Sequence, residues 1–316
     1  MRVIFFGTPD FSAKVLTHLL NHQQNIVAIV TKPDKPKGRS GAPLPTPVKV
    51  IGASHLPPIP VFQPDLVSAP EFAPTLAQFH PDLFVVVAYG EMIKQHLLDM
   101  PTLGCINMHT SLLPKYRGAA PIQHAIMAGE EETGVTIMRM VKKMDAGEMI
   151  DALQVPIGPN DIFPMVEEAL CRAGSALLLQ VMQQIEKGVA QSHPQDHALA
   201  TYAPKIELED CEIDWKLPAA RIHNLVRAVT PAPGAWCFVW VKGEKKRLKI
   251  YQSAVIPELV TSSGKARTLS DAALVVECGE NMLSLLDIQL EGKKRMTAQD
   301  LMRGLPLDAL SFRPVP

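Results

Sequence analysis

The five residues Leu83-Phe-Val-Val-Val87 offer water no polar side chain on either face. A strand with one solvated face alternates in polarity. One that is apolar throughout has to be covered on both sides, which confines it to the interior of a sheet flanked by helices. Arg2-Val-Ile-Phe-Phe6 and Ile26-Val-Ala-Ile-Val30 are similarly apolar, and Val61-Phe62 and Gly134-Val-Thr-Ile-Met-Arg-Met140 add further strands. Helical periodicity is expected over 11–20, 48–53, 72–79, 92–98, 121–129 and 163–187. Strand and helix thus alternate through residues 1–189, the pattern of an α/β domain with a Rossmann-like, doubly wound, mostly parallel sheet and right-handed crossovers.

The first turn of that domain excludes the commonest ligand of such sheets. Gly7-Thr8-Pro9-Asp10 enters a helix, with Thr8 as the expected N-cap and Pro9 at the first helical position. It lacks the later glycines of the dinucleotide fingerprint, and Thr31-Lys32 stands where an acidic residue would meet a ribose. A nicotinamide cofactor is therefore not expected. The five cysteines are odd in number and include no Cys-x-x-Cys pair, which argues against a disulfide framework and a structural zinc. No run reaches the ~18 apolar residues of a membrane span, and the first residues run straight into a strand. A protein of a reducing, cytoplasmic compartment, away from membranes, is the expectation.

Chemistry concentrates in Cys105-Ile-Asn-Met-His-Thr-Ser-Leu-Leu-Pro114. Along a strand, positions i and i+2 share a face, so Asn107 and His109 point into one space. Ser111, Leu112, Leu113 and Pro114 then break the strand in a turn. The carboxyl end of such a strand is where open α/β sheets place ligands. The strand ending at Val87 meets Tyr89 and Gly90, a second candidate floor for the pocket. After the strand at 134–140, Asp145-Ala146-Gly147 makes a tight turn able to present a carboxylate at the same sheet edge. An amide, an imidazole and a carboxylate together can stabilise an oxyanion and handle protons. The alternative is a set of satisfied polar groups at a core boundary.

Residues 31–47 hold five prolines, two glycines and the cations Lys32, Lys35, Lys37 and Arg39, a surface loop that suits phosphate contacts or merely aids solubility. The polar stretch 190–206 reads as a linker, and its His193 and His197 lack a third metal ligand. Beyond it, in 207–316, a helix over 217–229 and short strands at 235–241, 248–254, 273–278 and 282–290 imply a small antiparallel β-barrel, OB-like. Net charge is −1 overall, yet 215–316 holds 15 Lys+Arg against 9 Asp+Glu. Lys245, Lys246 and Arg247 form the densest basic cluster. With Trp236 and Trp240 they suit either a nucleic-acid surface or a solvated hairpin with core tryptophans.

These segments resemble the methionyl-tRNA formyltransferase family. The likeness lies in Phe6-Gly-Thr-Pro-Asp-Phe11, Val86-Val-Ala-Tyr-Gly90, Gly104-Cys-Ile-Asn-Met-His109, Ser111-Leu-Leu-Pro114, Arg117-Gly-Ala-Ala-Pro-Ile-Gln123 and Glu132-Thr-Gly-Val-Thr-Ile-Met138, with Ile213-Asp-Trp215 in the second part. The resemblance implies formyl transfer from 10-formyltetrahydrofolate, a co-substrate, to the amine of methionyl initiator tRNA, by a monomer without a metal. It implies Asn107, His109 and Asp145 as catalytic, and Ser111, Leu112, Leu113 and Pro114, with the Val87–Tyr89–Gly90 strand end, as folate-binding. It implies tRNA contacts from the loop that carries Lys35, Lys37 and Arg39, with Arg39 sensing the first base pair; Lys245, Lys246 and Arg247 are the further tRNA candidates that the charge pattern adds. Asp161-Ile162-Phe163-Pro164 and Lys94 depart from the family's habit without touching the catalytic positions. Three other activities fit parts of the pattern: a sugar-nucleotide N-formyltransferase using the same donor, a hydrolase releasing formate, and a non-catalytic RNA-binding protein.

Overall fold

The computed structural model of the chain describes residues 1–36, 41, 43–257, 265–268 and 274–312, with only the backbone of 267, 268 and 308. They fall into two compact units, one of 1–121, 132–156 and 167–203, the other of 122–131, 157–166 and 204–316. Elements in the first part of the chain are β1 (Val3–Gly7), α1 (Asp10–Asn21), β2 (Ile26–Val30), β3 (Lys35–Pro36), β4 (Pro43–Leu44), α2 (Pro47–Ser54), β5 (Val61–Phe62), α3 (Ala73–Ala77), β6 (Leu83–Val87), α4 (Gln95–Leu98) and β7 (Cys105–His109). They are followed by α5 (Pro121–Ala128), β8 (Glu132–Arg139), β9 (Met149–Pro156) and α6 (Phe163–Glu186).

The first unit is built on a seven-stranded sheet of order β5-β2-β1-β6-β7-β8-β9. Strands β5 through β7 run parallel, and β8 and β9 close the sheet antiparallel. β1 and β6 are buried at every position, as their unbroken apolar sequences require. One face packs Ile4, Phe6, Phe84, Val86 and Tyr89 against Leu76, Ile93 and Leu97. Strand order reverses at β1, whose neighbours are β2 and β6, so the carboxyl ends of β1, β6 and β7 line the switch point where such sheets hold ligands.

Several local expectations are revised. Thr8 does not cap α1; Pro9 takes that place, and the Thr8 hydroxyl donates instead to the Tyr89 carbonyl at 2.9 Å, tying β1 to the end of β6. The helix expected over 92–98 is only α4, because Lys94 is extended and its N–H donates to Ser68 Oγ at 2.9 Å. The 31–47 loop contains a two-stranded ribbon, β3 with β4. The stretch 190–206, read as a linker, is bonded into the first unit as far as Ala203. His193 bridges Met149, and Tyr202 bridges Arg117.

The second unit holds α7 (Ala219–Val229), β10 (Ala235–Val241), β11 (Glu244–Ile256), β12 (Ala266–Thr268), β13 (Leu274–Glu277), β14 (Met282–Leu290), β15 (Met296–Thr297), α8 (Ala298–Gly304) and β16 (Leu310–Ser311). Its antiparallel sheet runs β12-β13-β14-β11-β10-β16, with β15 on β14. It is a curled antiparallel half-barrel, as the small barrel expected from the sequence implies, in which no ladder joins β12 to β16 among the described residues. β11 begins earlier than expected because Lys242 and Gly243, at φ +50° and +83°, make a tight hairpin turn. Helix α8 escaped the sequence reading, although Thr297 caps it by accepting from the Asp300 N–H at 3.1 Å. Among the described residues no helix is long and apolar enough to cross a membrane.

Candidate active site

β7 carries Asn107 and His109 on one face at its carboxyl end, in register with Met138 and Thr136 of β8. Asn107 is half-buried, and its side chain makes no hydrogen bond among the described residues. His109 is 5% exposed. Its Nε2 lies 2.9 Å from the Tyr116 carbonyl, an acceptor only, which makes Nε2 the protonated nitrogen. That leaves Nδ1 facing Asp145, 3.8 Å from Oδ2. The separation exceeds a hydrogen bond, so Nδ1 is not spent on the carboxylate.

Asp145 reaches this position from the loop after β8. It adopts φ +49°, a strained conformation for a residue with a Cβ that surrounding contacts must sustain. The Gly118 N–H donates to Oδ2 at 2.8 Å. Two residues on, Gly147 packs so tightly that an added Cβ would lie 1.8 Å from the Arg139 carbonyl oxygen. The sequence therefore brings His109 and Asp145 together from 36 positions apart through one tight turn and one backbone amide.

In the segment 111–114, side chains mostly hold the turn. Ser111 and Leu113 are buried, and Ser111 Oγ donates to the Lys115 carbonyl at 2.6 Å. Thr136 Oγ1 accepts from the Leu113 N–H at 3.1 Å and donates to the Ser111 carbonyl at 2.7 Å. Leu112 and Pro114, half-buried, are the members with surface to offer. At the end of β6, Val87 and Tyr89 face inward. Their carbonyls accept from Ser12 at 2.6 Å and Thr8 at 2.9 Å, and the Tyr89 ring packs edge-on to Phe6. What this strand end exposes is Ala88 and Gly90, both at positive φ. Gln195 is a site-building residue that the sequence reading did not single out, while Arg117, Gly118 and Thr136 lay inside segments that carried the resemblance but had no role assigned.

Of the cations, Lys35 is exposed on β3, while Lys37 and Arg39 lie outside the described residues. Lys32 is committed to Glu91 at 2.5 Å, and Asp34 to Lys49 at 2.6 Å. In the second unit, register sets Trp236, Phe238 and Trp240 of β10 opposite Lys249, Arg247 and Lys245 of β11. The Lys245 ammonium sits 3.8 Å from the Phe238 ring centre and the Arg247 guanidinium 4.5 Å from that of Trp236. Lys246 lies on the other face and pairs with Glu244 at 3.0 Å. Asp161, in the departing segment, accepts from the Gly158 N–H at 2.7 Å and closes its own turn. Among the described residues no group of three or more His, Cys, Asp or Glu is placed to hold a metal.

A family model described as formyl transferase matches residues 1–182, and one described as formyl transferase, C-terminal domain, matches 205–306. The methionyl-tRNA formyltransferase of Protochlamydia amoebophila (strain UWE25) is 54% identical over 312 residues, covering 99% of this chain and 98% of its own. That of Chlamydia pneumoniae is 41% identical over 315 residues, covering 99% and 98%. The solved structure of WlaRD, a sugar 3N-formyl transferase determined in the presence of dTDP and 5-N-formyl-THF, matches at TM-score 0.66 and 18% identity, over 93% of this chain and 99% of that one. That structural likeness extends to the fold. The full-length sequence likeness goes further, and with both family models matched in order the chain belongs to the methionyl-tRNA formyltransferase family.

Proposed function

We propose that the protein transfers the formyl group of 10-formyltetrahydrofolate to the α-amino group of methionine on initiator tRNA, in support of translation initiation. The observation that carries the reading is the His109–Asp145 pair, 3.8 Å apart, on the strand face shared with Asn107 at the ligand-binding edge of the sheet. The amine nitrogen bonds to the formyl carbon, which becomes tetrahedral and bears a developing oxyanion. The Asn107 amide, without a hydrogen bond among the described residues, and the Nδ1–H of a protonated His109 are suitable donors to that oxygen. The Asp145 carboxylate faces the same ring nitrogen across 3.8 Å. The proton leaving the amine passes to the folate nitrogen through a water held by Asp145 and His109, and the carbon–nitrogen bond to the folate breaks. No metal takes part.

Leu112, Pro114 and the exposed Ala88 and Gly90 are the surfaces we assign to the flat pterin, with Ser111, Leu113, Val87 and Tyr89 as their support. Lys35, Lys37 and Arg39 would meet the acceptor stem, and Lys245 and Arg247 the tRNA backbone, with Lys246 weaker because Glu244 holds it. The protein acts as a monomer in the cytoplasm. The test is label transfer from 10-[14C]formyltetrahydrofolate to methionyl initiator tRNA, to an amino-sugar nucleotide, and to water as free formate. Label on the tRNA amine supports the reading; label on the sugar, or formate without an acceptor, overturns it.

A further inference from the structure

The Asp145 loop is held by residues outside the trio. Gln195 is 5% exposed. Its amide nitrogen donates to the carbonyls of Asp145 at 2.9 Å and Gly147 at 2.7 Å, gripping both ends of the tight turn. Its amide oxygen accepts from Nε and Nη2 of Arg117 at 3.1 and 2.5 Å. A guanidinium only donates, so Arg117 obliges the amide to present oxygen to itself and nitrogen to the turn. Nη2 of Arg117 also lies 2.9 Å from His197 Nδ1, and the side chain is 2% exposed.

Arg117 is also central to the backbone that frames the dyad. The residue before it, Tyr116, supplies the carbonyl that takes His109 Nε2, and the residue after it, Gly118, supplies the N–H on Asp145 Oδ2. The segment is strapped down on its far side. The Arg117 N–H donates to Thr201 O at 2.9 Å, and the Ala203 N–H donates to Arg117 O at 2.7 Å. A Cβ on Gly118 would meet the Ala203 carbonyl oxygen at 2.5 Å. One guanidinium–amide contact thus couples the two backbone segments that aim the imidazole and the carboxylate.

We propose that Arg117 and Gln195 are positioning residues for formyl transfer, setting the Asp145 turn against the 116–118 segment so that carboxylate and imidazole face each other. The proposal rests on the roles assigned to His109 and Asp145 under Proposed function. Neither residue touches the reacting atoms; both act through Asp145. The stretch around Gln195 is then part of the active-site frame rather than a tether.

The test is a kinetic cycle of wild type, Gln195→Ala, Asp145→Asn and the double variant, with folate and methionyl-tRNA saturating. In the wild-type background Gln195→Ala lowers kcat by about 10–100-fold, the scale of a misplacement near 1 Å, with KM for the folate moving less than about threefold. In the Asp145→Asn background the same substitution costs less than about threefold, since the group it positions is already lost. An equal loss in both backgrounds overturns the proposal, because a general structural role is indifferent to residue 145. Gln195→Glu keeps the acceptor for Arg117 but turns an oxygen toward the two carbonyls; it runs the same cycle if the alanine variant does not fold, with the same two outcomes. An arm independent of turnover follows the His109 ring resonances by NMR. In Gln195→Ala they move in the direction produced by Asp145→Asn; unmoved resonances overturn the proposal. Failure of the wild type to formylate methionyl-tRNA would sink the functional reading, while the NMR arm still decides the positioning.

Discussion

Replacing Asp145 by asparagine (Asp145→Asn) keeps the shape of the side chain and an oxygen able to accept the Gly118 N–H, so the turn can survive the change. What goes is the negative charge 3.8 Å from His109 Nδ1. The side chains are 6% and 13% exposed, so solvent screens little of their interaction. At that separation and an effective dielectric of ~20, attraction between carboxylate and imidazolium is about 4 kcal/mol. Asp145 and His109 act on the amine proton only as it is shed, so the loss falls on the transition state and not on folate binding. With about 1.4 kcal/mol per tenfold in rate, kcat should fall about 10³-fold, within the ~10²–10⁴-fold range of acid–base and oxyanion groups. The assay is single-turnover formylation of methionyl-tRNA at saturating folate, with folate affinity measured separately. A kcat within about threefold of wild type, or a loss carried wholly by folate affinity, refutes the reasoning.

Other expectations follow from the same geometry. Gly147→Ala forces a Cβ toward the Arg139 carbonyl and must displace the Asp145 turn, so kcat should fall on the order of 10²-fold; an unaltered rate would show that the turn tolerates movement. Thr136→Val strands the buried Leu113 N–H at a cost of about 1–3 kcal/mol, visible as a Tm lower by several degrees and a raised KM for the folate; neither change would mean the 111–114 turn holds itself. Arg39→Ala should raise KM for the charged tRNA and flatten its salt dependence, and an identical salt slope would return the loop to a solubilising role. Burial pushes the His223 imidazole below its ordinary pKa, with its ring nitrogens on Ser253 Oγ and the Pro159 carbonyl. The unfolded chain then takes up a proton near pH ~6.5 where the folded one does not, so this stability is present above ~6.5 and lost as pH falls through the lower folded value. His223→Gln should flatten the slope of urea midpoint against pH over that window; an unchanged slope assigns the acid sensitivity elsewhere.

How legible each part of the molecule was depends on whether its cause is periodic. Leu83–Val87 announces a strand buried on both faces because every position is apolar, and Asn107 and His109 share a face because a strand repeats every two residues. Asp145 sits in a positive-φ turn, where no period applies; its type and its place after a strand were the only signals. Gln195 offered none, since it bonds backbone carbonyls far away in the chain, and the polar stretch around it looked like a tether. Thr136 read as one more β-branched strand residue, although its hydroxyl holds the neighbouring turn. The aromatic and cationic ladders of β10 and β11 were obscured by one omission. With Lys242 and Gly243 read as a break and the next strand begun at 248, Lys245 and Arg247 had no cross-strand partners.

The central claim is that three side chains converge on one formyl carbon, and a crystal structure with 5-formyltetrahydrofolate tests it most directly. The account predicts the pterin against Leu112, Pro114 and the Ala88–Gly90 backbone, with the formyl oxygen within about 3 Å of the Asn107 amide and of His109 Nδ1. A folate bound away from this edge of the sheet, or a formyl group out of reach of both donors, would contradict it.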